Sequence, residues 1–269
     1  MTATGVSTRH AELDRLFSLD GRSAFITGAA GGLGFAIARA LGLAGATVTI
    51  TDIREKEVAT AAEVLARAGI DVDYDVLDVT ASGAVEKAVA ASARSGLSIV
   101  VANAGISGGP GPRQPEGKLS RIDEALWSRV VATNLTGVRN TVAAAAHHVD
   151  DKGSGRVIVV SSVAGIRPEP MVGYAYAISK AAVVGLVRQA AIELAERRIL
   201  VNAIAPGAFA TGIGGGRLGD PAVAKAFSDR SFLGRVADAS EIEGLALFLA
   251  SDASSYVTGG VFTIDGGMK

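Results

Sequence analysis

Two phenols and one amine lie within seven residues of this chain. The segment Tyr174–Lys180 reads YAYAISK, so Tyr176 stands four residues before Lys180 and Tyr174 stands six before it. Residues four apart lie on one face of a helix, whereas residues six apart are displaced around it. A nearby ammonium stabilises a phenolate and lowers the phenol pKa from its reference value near ~10. The spacing favours Tyr176 as a general acid/base, while Tyr174 is expected to line a pocket or to pack.

A glycine-rich segment near the start of the chain could bind a dinucleotide. Residues 27–34 read TGAAGGLG, after the apolar run SAFIT and before an Ala-rich helical stretch. Gly28 permits a tight turn, Gly32 leaves room for a pyrophosphate, and Gly34 lets helix and strand pack closely. Because this strand–loop–helix context is present, these glycines and Leu33 between them predict a cofactor site.

The end of the second predicted strand favours NAD as the cofactor. Asp52 follows the glycine-rich loop by about 20 residues, where a carboxylate accepts both ribose hydroxyls and repels a 2′-phosphate. Arg54 could instead partner a 2′-phosphate, but it is expected to open the next helix and to face solvent. The sequence therefore predicts NAD rather than NADP.

Short apolar runs alternate with longer Ala-rich stretches, which predicts an α/β fold. The pattern indicates a single doubly wound (Rossmann) domain at residues 19–269, after a polar N-terminal extension at residues 1–18. Its seven-stranded parallel sheet should carry helices on both faces. The predicted strands are Ser23–Thr27, Thr47–Asp52, Asp71–Val76, Leu97–Ala102, Arg156–Ser161, Leu200–Ala205 and Val261–Ile264. The predicted helices are Gly32–Ala44, Glu55–Ala68, Ala81–Ser95, Ser120–His148, Tyr174–Arg197 and Ala239–Ser251.

Two Gly- and Pro-rich loops interrupt this pattern. Ser107–Lys118 and Gly207–Pro221 both follow predicted strand ends, the side on which open α/β sheets bind ligands. They are predicted to form a substrate rim and a lid rather than ordinary surface connections.

Several further motifs follow one another in a recognisable order. They are TGxxxGxG at Thr27–Gly34, Asp78-Val79 in LDVT, ANAG at Ala102–Gly105, Asn134 in TNLTG, Ser161-Ser162, YxxxK at Tyr176–Lys180, PGxxxT at Pro206–Thr211 and the ending GGVFTIDGG. From about Leu19 to the C-terminus the chain resembles the short-chain dehydrogenase/reductases. It departs from them in having Ala102 where an Asn is usual. Ser162 also precedes Tyr176 by 14 residues, where 13 is commoner in the family, which places an extra residue in Arg167–Val172.

The resemblance implies roles for individual residues. Asn134, Ser162, Tyr176 and Lys180 would be catalytic: Ser162 donates to the substrate oxygen, Lys180 holds the nicotinamide ribose, and Asn134 holds a water of a proton relay. The implied cofactor contacts outside the glycine-rich loop and Asp52 are Asp78 and Val79 at the adenine, Asn103 at the adenosine ribose, and Pro206, Gly207 and Thr211 at the nicotinamide end. Taken singly, each residue could equally be structural, as an exposed helix pair, a strand-end cap or a buried polar group.

Composition excludes several other function classes. The chain has 49% hydrophobic and 20% charged residues, a formal net charge of −1, no cysteine and three histidines. We therefore predict no nucleic-acid or membrane partner and no metal, which disfavours a zinc alcohol dehydrogenase. No secretory signal or uninterrupted apolar run of ~18 residues is evident, so no spanning helix is expected, and a cytoplasmic location fits the absence of cysteine.

The leading prediction is an NAD(H)-dependent oxidoreductase that interconverts a secondary alcohol and a ketone. One alternative is an NADPH-dependent reductase of 3-oxoacyl thioesters, which Asp52 argues against. Another is a catalytically silent nucleotide-binding regulatory protein, which the complete catalytic set argues against. Apolar residues predict a hydrophobic or cyclic small-molecule substrate, and the resemblance implies a homotetramer joined through the helices of Asn134 and Tyr176 and the last helix and strand. The apolar pocket residues are Met171, Val172, Tyr174, Phe209 and Ile213.

Overall fold

The structure, a computed structural model, describes residues 12–93, 96–150, 155–213 and 216–268. These residues form one seven-stranded sheet in the order β3-β2-β1-β4-β5-β6-β7, and every neighbouring pair is parallel. This is the predicted doubly wound architecture, which is confirmed. The strands are β1 Ser23–Thr27, β2 Thr47–Asp52, β3 Val72–Val76, β4 Leu97–Ala102, β5 Arg156–Val160, β6 Leu200–Pro206 and β7 Val261–Ile264.

Helices cover both faces of the sheet, because each parallel connection must cross back over it. One hydrophobic cluster packs on each face, and the central strands β4 and β5 are buried along their whole length. The helices are α1 Gly32–Leu43, α2 Glu55–Arg67, α3 Ser82–Ala93, α4 Glu124–Val131, α5 Val138–His148, α6 Tyr174–Ala195, α7 Pro221–Ser228 and α8 Glu243–Ala250.

The strand order reverses where β1 lies between β2 and β4. The chain runs outward from β1 to β2 and β3, and then returns to place β4 on the other side of β1. In open α/β sheets such a reversal leaves a crevice beyond the carboxyl ends of the two central strands. The loops after β1, β4 and β5 must therefore meet at one edge of the sheet.

The predicted helix Ser120–His148 begins at Glu124 instead and is not α-helical along its whole length. A 3-10 turn at Leu119–Arg121 precedes α4, whose N-cap Asp123 accepts hydrogen bonds from the backbone of residues 125 and 126. A π-helical segment, Ala132–Gly137, then separates α4 from α5. Segments of this kind occur often at functional sites, and this one contains a predicted site residue.

Helix α7 was not predicted, although local signals for it are present. Asp220 caps the helix by accepting from the backbone N–H of Ala222, and Pro221 occupies its first position. Both features are typical of a helix start. The predicted lid Gly207–Pro221 therefore ends at a regular element, and its residues 214 and 215 lie outside the described residues.

The predicted division into residues 1–18 and 19–269 stays a prediction. Residues 1–11 lie outside the described residues, whereas residues 12–17 are helical and exposed. Leu19 is fully buried, and its N–H donates to the carbonyl of Ala44. The chain is therefore tied to the core from Leu19 onward.

Helix α6 is long and apolar enough, by length and composition, to cross a membrane. No spanning helix was expected from the sequence, because polar residues interrupt its apolar run. Nearly half of its most apolar 18-residue stretch is buried inside the structure, where α6 packs against β6 and the turn Val163–Gly165. A buried helix of a globular domain can be equally long and equally apolar.

Candidate active site

Helix α6 brings Tyr176 and Lys180 onto one face. Tyr174 is the first residue of the helix, and the Lys180 Nζ lies 5.8 Å from the centre of the Tyr176 ring. Lys180 is buried, and its Nζ donates to the carbonyl oxygen of Val160 at 2.7 Å. Burial lowers the pKa of Lys180 to about 8, since a charged amine is poorly solvated there.

The phenol of Tyr176 is shifted in the direction opposite to the one expected. Burial raises the pKa of Tyr176, and a hydrogen bond with the Ser162 side chain offsets this only in part. We predicted that Lys180 would lower this pKa, but its amine is directed to the carbonyl of Val160 at the end of β5. The protein groups alone therefore hold the phenol in its neutral, proton-donating form.

The end of β5 places a serine hydroxyl at the same site. Ser162 caps the 3-10 turn Val163–Gly165, and its Oγ accepts from the N–H of Ala164 at 3.2 Å. The Ser162 O–H remains a donor, and its hydrogen bond with Tyr176 lowers the pKa of that phenol. The neighbouring Ser161 Oγ donates to the carbonyl of Lys180 at 2.8 Å, which ties the strand end directly to α6.

Asn134 in the π-helical segment holds the loop that follows β4. Its Oδ1 accepts from the N–H of Ile106 at 2.8 Å, and its Nδ2 donates to the Ile106 carbonyl at 2.9 Å. A Cβ built on Gly105 would lie 3.4 Å from Asn134 Oδ1 and 3.5 Å from Lys180 Nζ. Asn134 and Lys180 therefore both lie near the same backbone position, and the water relay through Asn134 stays a prediction.

The glycine-rich loop is packed too closely for larger residues. Gly28 has φ 66°, and a Cβ there would lie 2.6 Å from the Cα of Ala104. A Cβ at Gly34 would lie 2.4 Å from the carbonyl oxygen of Gly28, within the loop itself. Gly32 has φ 56°, and a Cβ there would lie 3.3 Å from the Cβ of Thr211. These close approaches favour glycine at all three positions around the N-terminus of α1, where the sequence predicts the dinucleotide pyrophosphate.

Asn103 holds the same loop from β4. Its Nδ2 donates to the carbonyls of Thr27 and Gly28 at 3.0 and 2.8 Å, and its backbone N–H donates to the Thr27 hydroxyl. The sequence predicted that Asn103 would lie beside the adenosine ribose. In the structure its amide joins the two strand ends that form the crevice, and Leu33 packs partly against the core behind the loop.

Asp52 is paired with Arg54, which was expected to face solvent. The Arg54 Nε and a terminal guanidinium nitrogen donate to the two Asp52 carboxylate oxygens at 3.0 and 3.2 Å. Asp52 is buried, and it also accepts from the backbone N–H of Ala30 in the glycine-rich loop at 3.3 Å. The Arg54 side chain is 54% exposed, and its hydrogen bond to Asp52 raises its pKa. Both charges therefore stand where the adenosine ribose is predicted to bind.

The remaining predicted cofactor residues lie around this crevice. Asp78 is exposed and accepts from the backbone and hydroxyl of Thr80 at 2.8 and 2.7 Å. Val79 is buried against Gly137, the last residue of the π-helical segment. Pro206 ends β6, and the N–H of Gly207 donates to the carbonyl of Ile264 at 2.9 Å.

A cleft of about 800 Å³ lies between α1 and the segment after β6. Thr211 stands at its edge, opposite Gly32. Ser240 and the ion pair between Arg39 and Glu243 line its outer part.

The loop with the extra residue is held by ion pairs at its base. Arg167 pairs with Asp265 and donates to the carbonyl of Met268 at 2.9 Å. Glu169 is buried; it pairs with Arg230 at 3.2 Å and accepts from the N–H of Met171 at 3.0 Å. The sequence contained these four charges, but it gave no signal of which would pair.

Among the residues that the structure describes, no group of three His, Cys, Asp or Glu side chains could hold a metal ion. The two adjacent histidines at the end of α5 both contact Glu86 of α3. The distances are 3.4 Å from His147 and 2.7 Å from His148. This contact joins α3 to α5, away from the crevice.

Comparison with known proteins identifies the family. Residues 28–269 match the family model described as enoyl-(acyl carrier protein) reductase. The cis-4-hydroxycyclohexanecarboxylate dehydrogenase of Sinomonas cyclohexanicum is 38% identical over 252 residues, covering 91% of this chain and 96% of that protein. The chain belongs to the short-chain dehydrogenase/reductase family. The motifs had implied this membership, which makes the chain an oxidoreductase.

Two solved short-chain dehydrogenase/reductases differ in the cofactor that they contain. A 3-oxoacyl-[acyl-carrier protein] reductase from Brucella melitensis holds NAD; it is 34% identical, has a TM-score of 0.83 and covers 96% of this chain and 94% of its own. A gluconate 5-dehydrogenase from Burkholderia cenocepacia holds NADP and tartrate; it is 34% identical, has a TM-score of 0.85 and covers 95% and 97%. NAD and NADP therefore both occur in solved structures that are equally identical in sequence to this chain.

Proposed function

We propose that this protein is an NAD(H)-dependent oxidoreductase that interconverts a secondary alcohol and a ketone. The observation that carries the proposal is the meeting of Tyr176, Ser162, Lys180 and Asn134 at the carboxyl ends of β4 and β5, beside the glycine-rich loop. The glycine-rich loop and Asp52 would hold the dinucleotide. When bound, a nicotinamide supplies the hydride chemistry and, in its oxidised form, a positive charge.

The protein groups divide the proton chemistry among themselves. Tyr176 gives its proton to the carbonyl oxygen during reduction and takes a proton from the alcohol during oxidation. Ser162 turns its O–H from the phenol to the same substrate oxygen, where negative charge grows. Lys180 stands within 5.8 Å of the phenol ring, so its charge favours the phenolate after the proton has left. Because the resting phenol pKa is raised, the neutral acid is ready for the reductive direction.

Replacement of Tyr176 tests the proposed function directly. Tyr176→Phe removes the proton donor but keeps the ring, so kcat for ketone reduction should fall by about 10²–10⁴-fold. NADH affinity, measured by fluorescence titration, should change less than threefold or so, since the coenzyme contacts remain. Retained turnover would rule out Tyr176 as the acid/base. Wild-type protein that oxidises neither NADH nor NADPH with any of a panel of ketones would contradict the function itself.

We also propose that the substrate is a hydrophobic or cyclic alcohol. Ile106, Ile166 and Ile213 expose apolar surface after β4, β5 and β6, where ligands of such sheets bind. Phe209, predicted to line the pocket, is instead buried in the core. The relative from Sinomonas cyclohexanicum is named for a cyclic hydroxy acid, which supports a cyclic substrate for this chain. Better turnover of linear sugars than of substituted cyclohexanols would contradict the proposal.

Reduction of a 3-oxoacyl thioester is the second candidate. The matching family model is described as an enoyl-(acyl carrier protein) reductase, a name that shares the carrier-bound acyl substrate but not the reduced carbonyl group. The Brucella melitensis 3-oxoacyl-[acyl-carrier protein] reductase holds NAD. The presence of Asp52 therefore counts less against this activity than the sequence suggested. Assays with acetoacetyl thioester and with a cyclic ketone at equal concentration separate the two candidates by their kcat/KM.

A further inference from the structure

The loop after β4 lies directly against the start of the catalytic helix. Gly108 of this loop has a backbone that any residue could adopt, yet a Cβ there would lie 2.7 Å from both the N and the Cβ of Tyr176. Real Cβ atoms essentially never approach other atoms this closely, and the nearest atoms are backbone or fixed to it. Glycine is therefore required at position 108 for space rather than for conformation.

The contact is reciprocal. Gly173 caps α6, and a Cβ there would lie 2.0 Å from the carbonyl oxygen of Gly108. The same two segments meet again further along, where a Cβ on Gly111 would lie 2.0 Å from the carbonyl oxygen of Pro170. The loop that was predicted to form a substrate rim is therefore packed backbone against backbone on the segment that leads into α6.

The loop itself is held at its beginning by the π-helical segment. Asn134 binds both backbone groups of Ile106, two residues before Gly108. The contacts therefore run from Asn134 through Ile106 and Gly108 to the backbone of Tyr176. Tyr176 lies in the first turn of α6, where the helix end has no side-chain cap to hold it.

We infer that Gly108 and Gly173 are positioning residues, which set the place of the Tyr176 phenol through contact of one backbone with another. This inference rests on the proposed function, since it concerns the same acid/base. Larger residues at either position would push the first turn of α6 away from the loop. A displacement of about 1 Å at a reacting group is enough to lower a rate about 100-fold.

The test compares Gly108→Ala and Gly173→Ala with Gly83→Ala. Gly83 is exposed in the first turn of α3, and a Cβ there meets nothing within 4 Å. We expect kcat for ketone reduction to fall 10- to 100-fold, by the same argument, in the first two variants only. Their NADH dissociation constants should stay within about threefold of wild type. In the alcohol-oxidation profile the rising limb should move to higher pH, because the displaced phenol loses the Ser162 hydrogen bond that lowers its pKa.

The outcomes separate this inference from the proposed function. If wild-type protein is active and Gly108→Ala retains both its kcat and its pH profile, the inference is overturned. If the wild type turns over no ketone, the proposed function fails instead. Should both variants fail to fold, hydrogen exchange of the wild-type protein decides: the segments 105–111 and 173–177 should exchange more slowly than the exposed first turn of α3. Equal exchange would overturn the inference.

Discussion

At the scale of single residues, burial raises the pKa of Tyr176, whereas its spacing from Lys180 predicted a lowered one. Tyr176 and Lys180 share a helix face, as their four-residue separation predicted, but both are driven toward their neutral forms. Desolvation disfavours any charged form, and it acts on both groups. The carbonyl of Val160 occupies the amine, so the ammonium does not bond the phenol. In this state the Tyr176 phenol is suited to donating a proton. The positive charge of a bound oxidised nicotinamide would favour its phenolate form.

The Lys180 pKa predicts a pH dependence of stability. Its pKa falls from 10.5 in the unfolded chain to about 8 in the folded protein. Between these values the unfolded chain binds the extra proton, so the free energy of unfolding rises with pH. The charged amine below this window costs on the order of 3 kcal/mol, from about 1.4 kcal/mol per pKa unit. In urea titrations, wild-type stability relative to Lys180→Met should increase from about pH 8 to pH 10.5; a constant difference would contradict the buried amine.

The pairing of Asp52 with Arg54 predicts how the cofactor is selected. Asp52→Asn removes the negative charge that repels a 2′-phosphate, so NADPH should bind at least about tenfold more tightly than to wild type. Arg54→Ala leaves the carboxylate unpaired and should weaken NADPH without weakening NADH. Fluorescence titration of each variant with both coenzymes measures this directly. A wild type that prefers NADPH, with Arg54→Ala losing that preference, would reverse the assignment.

At the scale of elements, strands followed the sequence more closely than helices did. Most predicted strand ends lie within one residue of the observed ones, since apolar runs and the glycines after them are local signals. The predicted helix Ser120–His148 differs from the observed one because the position of a π-helical segment depends on the partners of its side chains on other elements. Asn134 is turned toward Ile106 on another element, and no periodicity along the chain records that partner.

The packing within the glycine-rich loop predicts different effects for two neighbouring glycines. A Cβ at Gly34 would lie 2.4 Å from the Gly28 carbonyl oxygen and 2.9 Å from the Cα of Ala29, whereas one at Gly31 meets nothing within 4 Å. Gly34→Ala should therefore destabilise the protein by about 1–3 kcal/mol through overpacking and weaken NADH binding. Gly31→Ala is the matched control in the same loop. Denaturant unfolding and coenzyme titration measure both effects; equal stability of the two variants would contradict this packing.

At the scale of the whole molecule, α6 buries one side and exposes another. Its exposed side presents Ile178, Gly185 and Ile192, small or apolar residues at helical spacing. Such a stripe lets a second helix approach closely, which supports the homotetramer that the family resemblance implied. The oligomeric state and the cytoplasmic location both stay predictions.

Disruption of this stripe tests the assembly. Ile192 is 72% exposed in the single chain, so Ile192→Glu should be harmless to a monomer but should place a charge in a tetramer interface. Sedimentation velocity should give a tetramer for the wild type and smaller species for the variant. Leu43→Glu, at an exposed site at the end of α1, is the control and should remain a tetramer. A monomeric wild type would refute the assembly.

The sequence by itself determined the fold class, the positions of the strands along the chain and the identity of the residues able to do chemistry. These follow from local periodicity: apolar runs make strands, glycine spacing makes the turn into α1, and four-residue spacing puts Tyr176 and Lys180 on one face. Only the tertiary structure decided which partners those residues have. The Lys180 amine donates to the Val160 carbonyl, Arg54 pairs with Asp52, and Gly108 lies against the backbone of Tyr176. Backbone atoms leave no mark in the side-chain pattern, and an ion pair such as Arg167–Asp265 depends on which segments the folded sheet brings together.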